Sequence, residues 1–497
     1  MPHAWPSNAN HAQTYSATAR DALCALHVAY VPAIVRIMYQ FSYNRPVQIA
    51  DGFCGAGGSS TGLAQACDEL AVDYRLFALN HWDRAIESHT ANHPAARHFL
   101  MDIEAAKPEI APNGVDVAWF SPSCQEHSYA HGDSSIDDED RASAFDIPRL
   151  AGVWQPGVII VENVAPFVKW SPVEPLRHAN GKPRRDPNGK PVFRPIASRK
   201  GETFREWFAA VEACGPTYRG EWKLLNSADF GESQNRVRFF AVFTAPGVEF
   251  AWPELTHDRY GRNGLPVWEP ASKYIDTTLP SQSIFGRKRP LSPSTMTRIA
   301  AGIPLVADGA LQDAFLVILR KHSDVAPIAG PVPTITAGGT HIGLAQTEIH
   351  RFNGGTSASF TLGQHGGAMP RRVNEPIATI ATDAYIRVFE LIAEGYRSGT
   401  TALVGDSAET LEEFIARFDG RVAEIDGALY GLDVKFRMLQ PVELKQFQGL
   451  GPDYVLVGTK GEQNAQIGNA VPVKVAKALG RQALIAIRRA QPEALAA

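Results

Sequence analysis

The stretch Val47-Gln48-Ile49-Ala50-Asp51-Gly52-Phe53-Cys54-Gly55-Ala56-Gly57-Gly58-Ser59-Ser60 constrains this chain most. An apolar run of strand length passes without a linker into a glycine turn and then into residues that open a helix. The glycines let the main chain approach a ligand closely, although such a turn alone is weak evidence for one. The alternation continues downstream. Strands are expected at Arg75 to Leu79, Val115 to Phe120 and Val158 to Val161, and helices from about Thr61, through Asp83 to Asn92 and around Thr203 to Cys214. Trp222 to Asn226 and Val237 to Phe243 add strands, the last of them antiparallel. The predicted class is α/β, a doubly wound and mostly parallel sheet.

In an open sheet of this kind, ligands and reactive groups collect just past the carboxyl ends of the strands. Two predicted strands end in reactive side chains: Ser121-Pro122-Ser123-Cys124-Gln125 follows one, and Glu162-Asn163-Val164 closes the other. A lone cysteine is more often a small buried hydrophobe than a nucleophile. Glu-Asn at a strand end serves equally well as a cap or turn. The order of glycine turn, thiol and carboxyl group along one inferred sheet edge is what raises the functional reading above these.

That order resembles the C5-cytosine DNA methyltransferases of bacterial or phage type. Asp229-Phe230-Gly231-Glu232-Ser233-Gln234-Asn235-Arg236-Val237-Arg238 resembles the family's Gln-x-Arg-x-Arg segment, and Gln466-Ile467-Gly468-Asn469-Ala470-Val471-Pro472 resembles its closing motif. Phe436-Arg437-Met438-Leu439-Gln440-Pro441-Val442-Glu443 precedes the latter as a leader. The resemblance covers roughly residues 47 to 244 and 436 to 485. It implies the fold of S-adenosylmethionine-dependent methyltransferases with a smaller β-rich target-recognition domain.

The resemblance also assigns roles. Cys124 would attack C6 of a cytosine flipped out of double-stranded DNA, since thiolate addition turns C5 into a nucleophilic enamine carbon. Glu162 would hold or protonate N3, and Arg236 and Arg238 would hold the base O2 and lower the thiol pKa, with Arg238 the direct contact. S-adenosylmethionine would lie against Phe53, Gly55, Gly57, Gly58, His81, Trp82, Asp102 and Asn469. Gln125, Asn163 and Gln234 would face the DNA. Two positions depart from the family pattern: Ser123 stands where proline usually precedes the nucleophile, and His81 stands where an acidic residue usually meets the cofactor ribose.

The 497 residues, 44% of them hydrophobic, suffice for two or more domains. Four are expected: a helical extension over 1–44, a catalytic and cofactor-binding domain over 45–244, a target-recognition domain over 245–435, and a segment over 436–497 that completes the catalytic domain. The extension has helical spacing of Leu23, Leu26, Val31, Ile34, Val35 and Met38, which suits packing on the sheet. Within 245–435, Phe315 and Pro331 recur as Phe360 and Pro376, both 45 residues on, which reads as a duplicated β unit. Its plainer reading is a structural β insert.

No apolar run approaches bilayer length, and the amino terminus lacks signal-peptide features, so a cytoplasmic protein without membrane contact is expected. Cys24, Cys54, Cys67, Cys124 and Cys214 form no Cys-x-x-Cys pair, which argues against a disulfide framework and against a metal site. A net charge of -4 confines any nucleic-acid contact to local patches. Residues 177–205 form such a patch, with Arg177, Lys182, Arg184, Arg185, Lys190, Arg194, Arg199, Lys200 and Arg205 against Asp186 and Glu202. Rich in Pro and Gly, it reads as a long mobile loop, either a solvated insertion or a phosphate clamp in which Arg184 and Arg185 meet DNA.

Three other readings compete. A tRNA cytosine-5 methyltransferase would share the chemistry, but the large insert favours a duplex reader. A catalytically silent DNA-binding protein would not need the set Cys124, Glu162, Arg236 and Arg238. A nicotinamide dehydrogenase would need a spaced Gly-x-Gly-x-x-Gly, which the glycine turn does not supply. The expected partners are double-stranded DNA and a cognate restriction endonuclease, and the expected state is a monomer.

Overall fold

The computed structural model describes residues 45–111, 114–124, 143–186, 189, 191–215, 217–307, 314–320, 325–339, 341–352, 360–361, 371–372, 403–407, 411–418, 422–425 and 428–490. Its first sheet uses β1 (Val47–Gly52), β2 (Tyr74–Asn80), β3 (Arg97–Leu100), β4 (Val117–Phe120) and β5 (Val158–Val164), all parallel. Two short strands, β6 (Val173–Pro175) and β7 (Phe193–Pro195), follow outside this sheet. After them come β8 (Arg219–Asn226), β9 (Gln234–Asn235) and β10 (Val237–Thr244), of which β10 runs antiparallel to both β5 and β8.

The strand order β3-β2-β1-β4-β5-β10-β8 reverses direction between β1 and β4. A crevice opens at such a switch point, beyond the strand ends. β1, β4 and β5 are buried along their whole length, as expected for parallel strands covered on both faces. Helices α1 (Gly58–Glu69), α2 (Asp83–Asn92), α3 (Asp146–Trp154) and α4 (Glu202–Ala213) alternate with them. One face packs Phe120, Trp154, Phe167, Trp207 and Phe239, and the other packs Leu63, Trp119, Phe240 and Leu479. The predicted doubly wound sheet is therefore the observed one.

A second sheet has the order β11-β20-β15-β12-β13, with a further strand paired on each of β15 and β20. Its strands are β11 (Gln282–Ser283), β12 (Ala314–Ile318), β13 (Val325–Pro327), β15 (Ile342–Phe352), β18 (Leu403–Ser407), β19 (Val422–Ile425) and β20 (Ala428–Met438). The helices α5 (Pro293–Ala307) and α6 (Leu411–Phe418) accompany it. Phe315, from the first copy of the repeat, lies in β12. The other half of that copy does not stay with this sheet: β14 (Val332–Pro333) pairs in parallel with β9, Val332 opposite Gln234 and Pro333 opposite Asn235. In the second copy β16 (Phe360–Thr361) pairs with β17 (Arg371–Arg372), and Pro376 to Thr382 lie outside the described residues, as does the helical pattern from Ala17 to Gln40.

The chain then returns to the first sheet through α7 (Pro441–Phe447), α8 (Lys460–Asn469) and α9 (Val473–Ala490). α9 lies against α1 so closely that a Cβ on Gly62 would stand 2.6 Å from that of Ala476. Among the described residues no helix is long and apolar enough to cross a membrane.

The basic stretch corrects an expectation. It is not an unpaired loop: β6 and β7 pair antiparallel, and backbone bridges join Arg177 to Pro183 and Arg185 to Pro191. Gly181 and Gly189 sit at its turns, while Pro183 and Pro191 take part in the bridges of a small β arm.

Candidate active site

The switch point brings the ends of β1, β4 and β5 together. The Ser121 N–H donates to the Gly52 carbonyl at 3.1 Å, fixing the thiol turn against the end of β1. Asn163 Nδ2 donates to the Pro122 carbonyl at 3.1 Å, while its Oδ1 accepts the Val164 N–H at 2.8 Å. The turn that carries Cys124 is thereby pinned from both neighbouring strands, although Ser123 replaces the stiffer proline. Buried Trp119 adds a third tie, its indole N–H donating to Ser121 Oγ at 3.0 Å.

Glu162 is 7% exposed, and Arg238 Nε lies 3.4 Å from its Oε1. Burial pushes the Glu162 carboxyl up, while Arg238, Arg236 and a hydrogen bond from the Ser121 hydroxyl pull the other way. The Cys124 thiol is likewise pushed up by burial and by the Glu162 carboxylate, and Arg238 and Arg236 oppose both. Thiol, carboxyl and guanidinium groups thus sense one another in one desolvated edge.

The two arginines differ in what they touch. Arg236 is 2% exposed and its guanidinium is taken up by main-chain carbonyls: Ile335 at 2.7 Å, Gly468 at 2.8 Å and Ala470 at 3.2 Å. It ties β9, the segment after β14 and the end of α8 into one seam, and acts on the thiol through its field. Of the two, it is Arg238 whose guanidinium lies against Glu162. Two of the expected DNA contacts sit inside the structure. Asn163 is wholly buried and committed to the thiol turn, and Gln234 is wholly buried where β14 covers it, with neither amide atom hydrogen-bonded. Gln125 lies outside the described residues. Arg184 and Arg185 are exposed on the β arm.

Around the glycine turn, Phe53 adopts φ +63, a conformation a side-chain-bearing residue holds only when its surroundings impose it. Gly55 has φ +53, and nothing stands within 4 Å of where its Cβ would be. The other two glycines are occupied: a Cβ on Gly57 would meet the Tyr454 hydroxyl at 2.5 Å, and one on Gly58 the Val471 carbonyl at 2.3 Å. Tyr454 also donates to the Ala56 carbonyl at 2.6 Å. The carboxyl group of Asp51, buried beneath this turn and pushed up to about 6 by desolvation, accepts from the hydroxyls of Ser59 and Ser60.

At the neighbouring strand ends His81 and Asp102 are both largely exposed, with Nδ1 and Oδ1 4.0 Å apart, so the imidazole does not stand there alone. Trp82 is half-buried and precedes α2, and the Asn469 side chain is exposed at the end of α8. The open backbone at Gly55, with exposed polar groups at the ends of β2 and β3, fits an elongated ligand with a polar sugar. Ser121, Trp119 and Tyr454 went unread in the sequence. Ser121 carries a faint signal, a hydroxyl three residues before the thiol, whereas Tyr454 carries none.

Residues 47–173, 194–279 and 376–484 match the family described as C-5 cytosine-specific DNA methylase, and the chain belongs to that family. Residues 174–193 and 280–375 fall between the matched stretches. Among curated relatives, Type II methyltransferase M.AgeI of Thalassovita gelatinovora is 26% identical over 46% of this chain and 46% of its own length. Type II methyltransferase M.NlaIV of Neisseria lactamica is 26% identical over 48% of this chain and 52% of its own. M1.HphI of Haemophilus parahaemolyticus, also a Type II methyltransferase, is 27% identical over 45% and 52%. The chain spans about half the length of the curated relatives it matches.

Proposed function

We propose that this chain is a DNA cytosine-5 methyltransferase that acts on a cytosine flipped out of duplex DNA. The observation that carries the reading is the junction of Cys124 and Glu162 at the ends of adjacent parallel strands, with Arg238 against the carboxyl group. Cytosine C5 is too weak a nucleophile to be methylated directly. Addition of the Cys124 thiolate to C6 moves the C5–C6 electron pair to C5 as N3 takes a proton from Glu162. After C5 is methylated, its proton passes to a solvent base as the C6–S bond breaks and the thiolate leaves, which restores the ring, and N3 returns its proton to Glu162.

The electrostatics support this division of labour. Burial raises the Glu162 pKa and so favours the protonated carboxyl group that this step needs. The same burial disfavours a free Cys124 thiolate, and the two arginines offset part of that cost. Arg238 is the group suited to hold the base O2 as charge develops on the ring.

S-adenosylmethionine would supply an electrophilic methyl group, held along Phe53, Gly55, Trp82, His81 and Asp102. Tyr454 and Val471, packed on Gly57 and Gly58, would keep the turn in shape for it, and Asn469 would border it from α8. The second sheet would read the target sequence, and the basic arm that carries Arg184 and Arg185 would meet phosphates. The naming of the relatives as Type II methyltransferases supports a cognate restriction endonuclease as partner; a monomer suffices for the chemistry.

Duplex DNA containing 5-fluorocytosine tests the reading, because fluorine at C5 cannot leave as a proton and the adduct should persist. Mass spectrometry is expected to find the DNA on Cys124, and the Cys124→Ser chain should bind DNA without forming it. An adduct elsewhere, or turnover retained by Cys124→Ser, would overturn the covalent mechanism. Labelled methyl transfer to tRNA in preference to duplex DNA would overturn the substrate.

A further inference from the structure

The arm that follows β5 lies between the first two stretches matched to the family, so the family fold does not require it. Beyond the β6–β7 pairing, its backbone closes a ring. Leu176 N donates to the Val192 carbonyl at 2.7 Å, Val192 N to that of Arg184 at 2.8 Å, and Arg184 N to that of Leu176 at 2.7 Å. These three residues are spaced by eight, and the intervals between them repeat a sequence: Arg177-His178-Ala179-Asn180-Gly181-Lys182-Pro183, then Arg185-Asp186-Pro187-Asn188-Gly189-Lys190-Pro191.

The repeat is structural as well. Arg177 Nη1 donates to the Gly181 carbonyl at 2.8 Å, and Arg185 Nη1 to the Gly189 carbonyl at 2.5 Å. Gly181 N reaches the His178 carbonyl at 2.9 Å and Gly189 N the Asp186 carbonyl at 3.0 Å, with φ of +81 and +83 at the two glycines. The same turn is built twice, each held by its own arginine.

Such a device needs a purpose other than core packing, because residues 177–185 are all exposed. That stretch contains Arg177, Lys182, Arg184 and Arg185 and no acidic residue. At the root the charge is balanced, with Arg194 paired to Glu174 at 3.0 Å; at the tip Arg177, Lys182, Arg184 and Arg185 outnumber the one described acid, Asp186. A chain of net charge -4 that must hold a polyanion needs a local, rigid cationic surface of this kind. The root is anchored where it matters: Ile196 N and Phe204 N bond to the carbonyls of Pro172 and Trp170, in the segment that continues from the strand end bearing Glu162.

We propose that the arm grips the phosphate backbone of duplex DNA beside the methylated base, with Lys182 and Arg184 as the phosphate contacts and Arg177 and Arg185 as positioning residues that shape the two turns. The inference rests on the methyltransferase reading. Phosphate contacts fix position without reading sequence, so the grip acts equally on every duplex and weakens with salt.

The test compares the full chain with Lys182→Ala/Arg184→Ala, measuring affinity for a methylatable duplex and a scrambled one across salt concentrations. Both affinities should fall by the same factor, roughly tenfold at physiological salt, and the log-log slope should flatten by about 1.8 once two phosphates are no longer neutralised. The loss should fall on KM for DNA more than on kcat. The charge-preserving Lys182→Arg/Arg184→Lys chain should retain the slope. An unchanged slope in the alanine variant of a chain that still methylates DNA overturns the arm alone. So does a loss confined to the methylatable duplex. A parent chain that binds no duplex overturns the methyltransferase reading, and the arm with it.

Discussion

The catalytic edge and the arm that springs beside it use the same residue type to opposite ends. At the edge, Arg236 and Arg238 are desolvated, and burial holds both guanidinium groups below their ordinary pKa while Glu162 and Cys124 pull them back up. Each charge there changes how readily its neighbours gain or lose a proton. On the arm the basic side chains stand in water, where single charges contribute little to stability and act at a distance through their sum. The difference teaches that position relative to solvent, rather than charge itself, decides whether a cation tunes chemistry or gathers a substrate.

The largest expected effect is on the edge. Glu162→Gln keeps a hydrogen-bonding group but loses the transferable proton, so kcat should fall by about 10³. The salt slope of DNA binding should stay where it is. A variant that lost rate and slope together would erase the distinction between the two regions. Next comes Arg236, whose removal strands the carbonyls of Ile335, Gly468 and Ala470 in a dry seam. Arg236→Met should cost about 4 kcal/mol in denaturant unfolding, whereas Arg184→Ala on the arm should cost under about 0.5 kcal/mol. Similar costs at the two positions would break the comparison.

A third effect lies in the same seam and carries a pH signature. Glu232 is 1% exposed, and its Oε1 accepts the Lys474 N–H at 2.7 Å near the start of α9. Burial pushes its carboxyl up to about 7 from 4.5. An acid whose folded pKa is raised stabilises the fold in its protonated form. That stability is present below the unfolded value and is lost as pH rises from 4.5 through about 7. Glu232→Gln should therefore raise stability at pH 8 by on the order of 2–3 kcal/mol and change it little at pH 4. Urea midpoints at the two pH values check this, and a gain of equal size at both would assign the effect to packing rather than ionisation.

Much of the first sheet was legible because its strands are nearly unbroken apolar runs and its turns carry glycine. The helix expected from Asp83 to Asn92 has those limits in the structure. The thiol and the carboxyl group were legible because each ends such a run. The fate of Arg236 was not, since the carbonyls that claim it belong to Ile335, Gly468 and Ala470, far along the chain. For the same reason Gln234 read as a DNA contact although β14 buries it. The arm was misread for a different reason. Gly and Pro signal turns wherever they occur, and only the eight-residue recurrence of Arg-x-x-Asn-Gly-Lys-Pro separates two built turns from an irregular loop.

The smallest expected effect sharpens the comparison most, because it asks whether a neutral group can tune the edge. The Trp119 indole occupies one lone pair of Ser121 Oγ at 3.0 Å, which leaves the hydroxyl proton for the Glu162 carboxylate. That bond favours the ionised carboxylate and so holds down part of the rise that burial imposes. Ser121→Ala should lower kcat only about fivefold, the scale of one hydrogen bond of about 1 kcal/mol. The alkaline limb of the kcat profile, where Glu162 has lost the proton it must donate, should move to higher pH as the carboxylate loses its donor. Ser121→Thr should restore both. A residue that merely packs would reduce stability and leave the limb in place, and that outcome would return the tuning of Glu162 to burial and the two arginines alone.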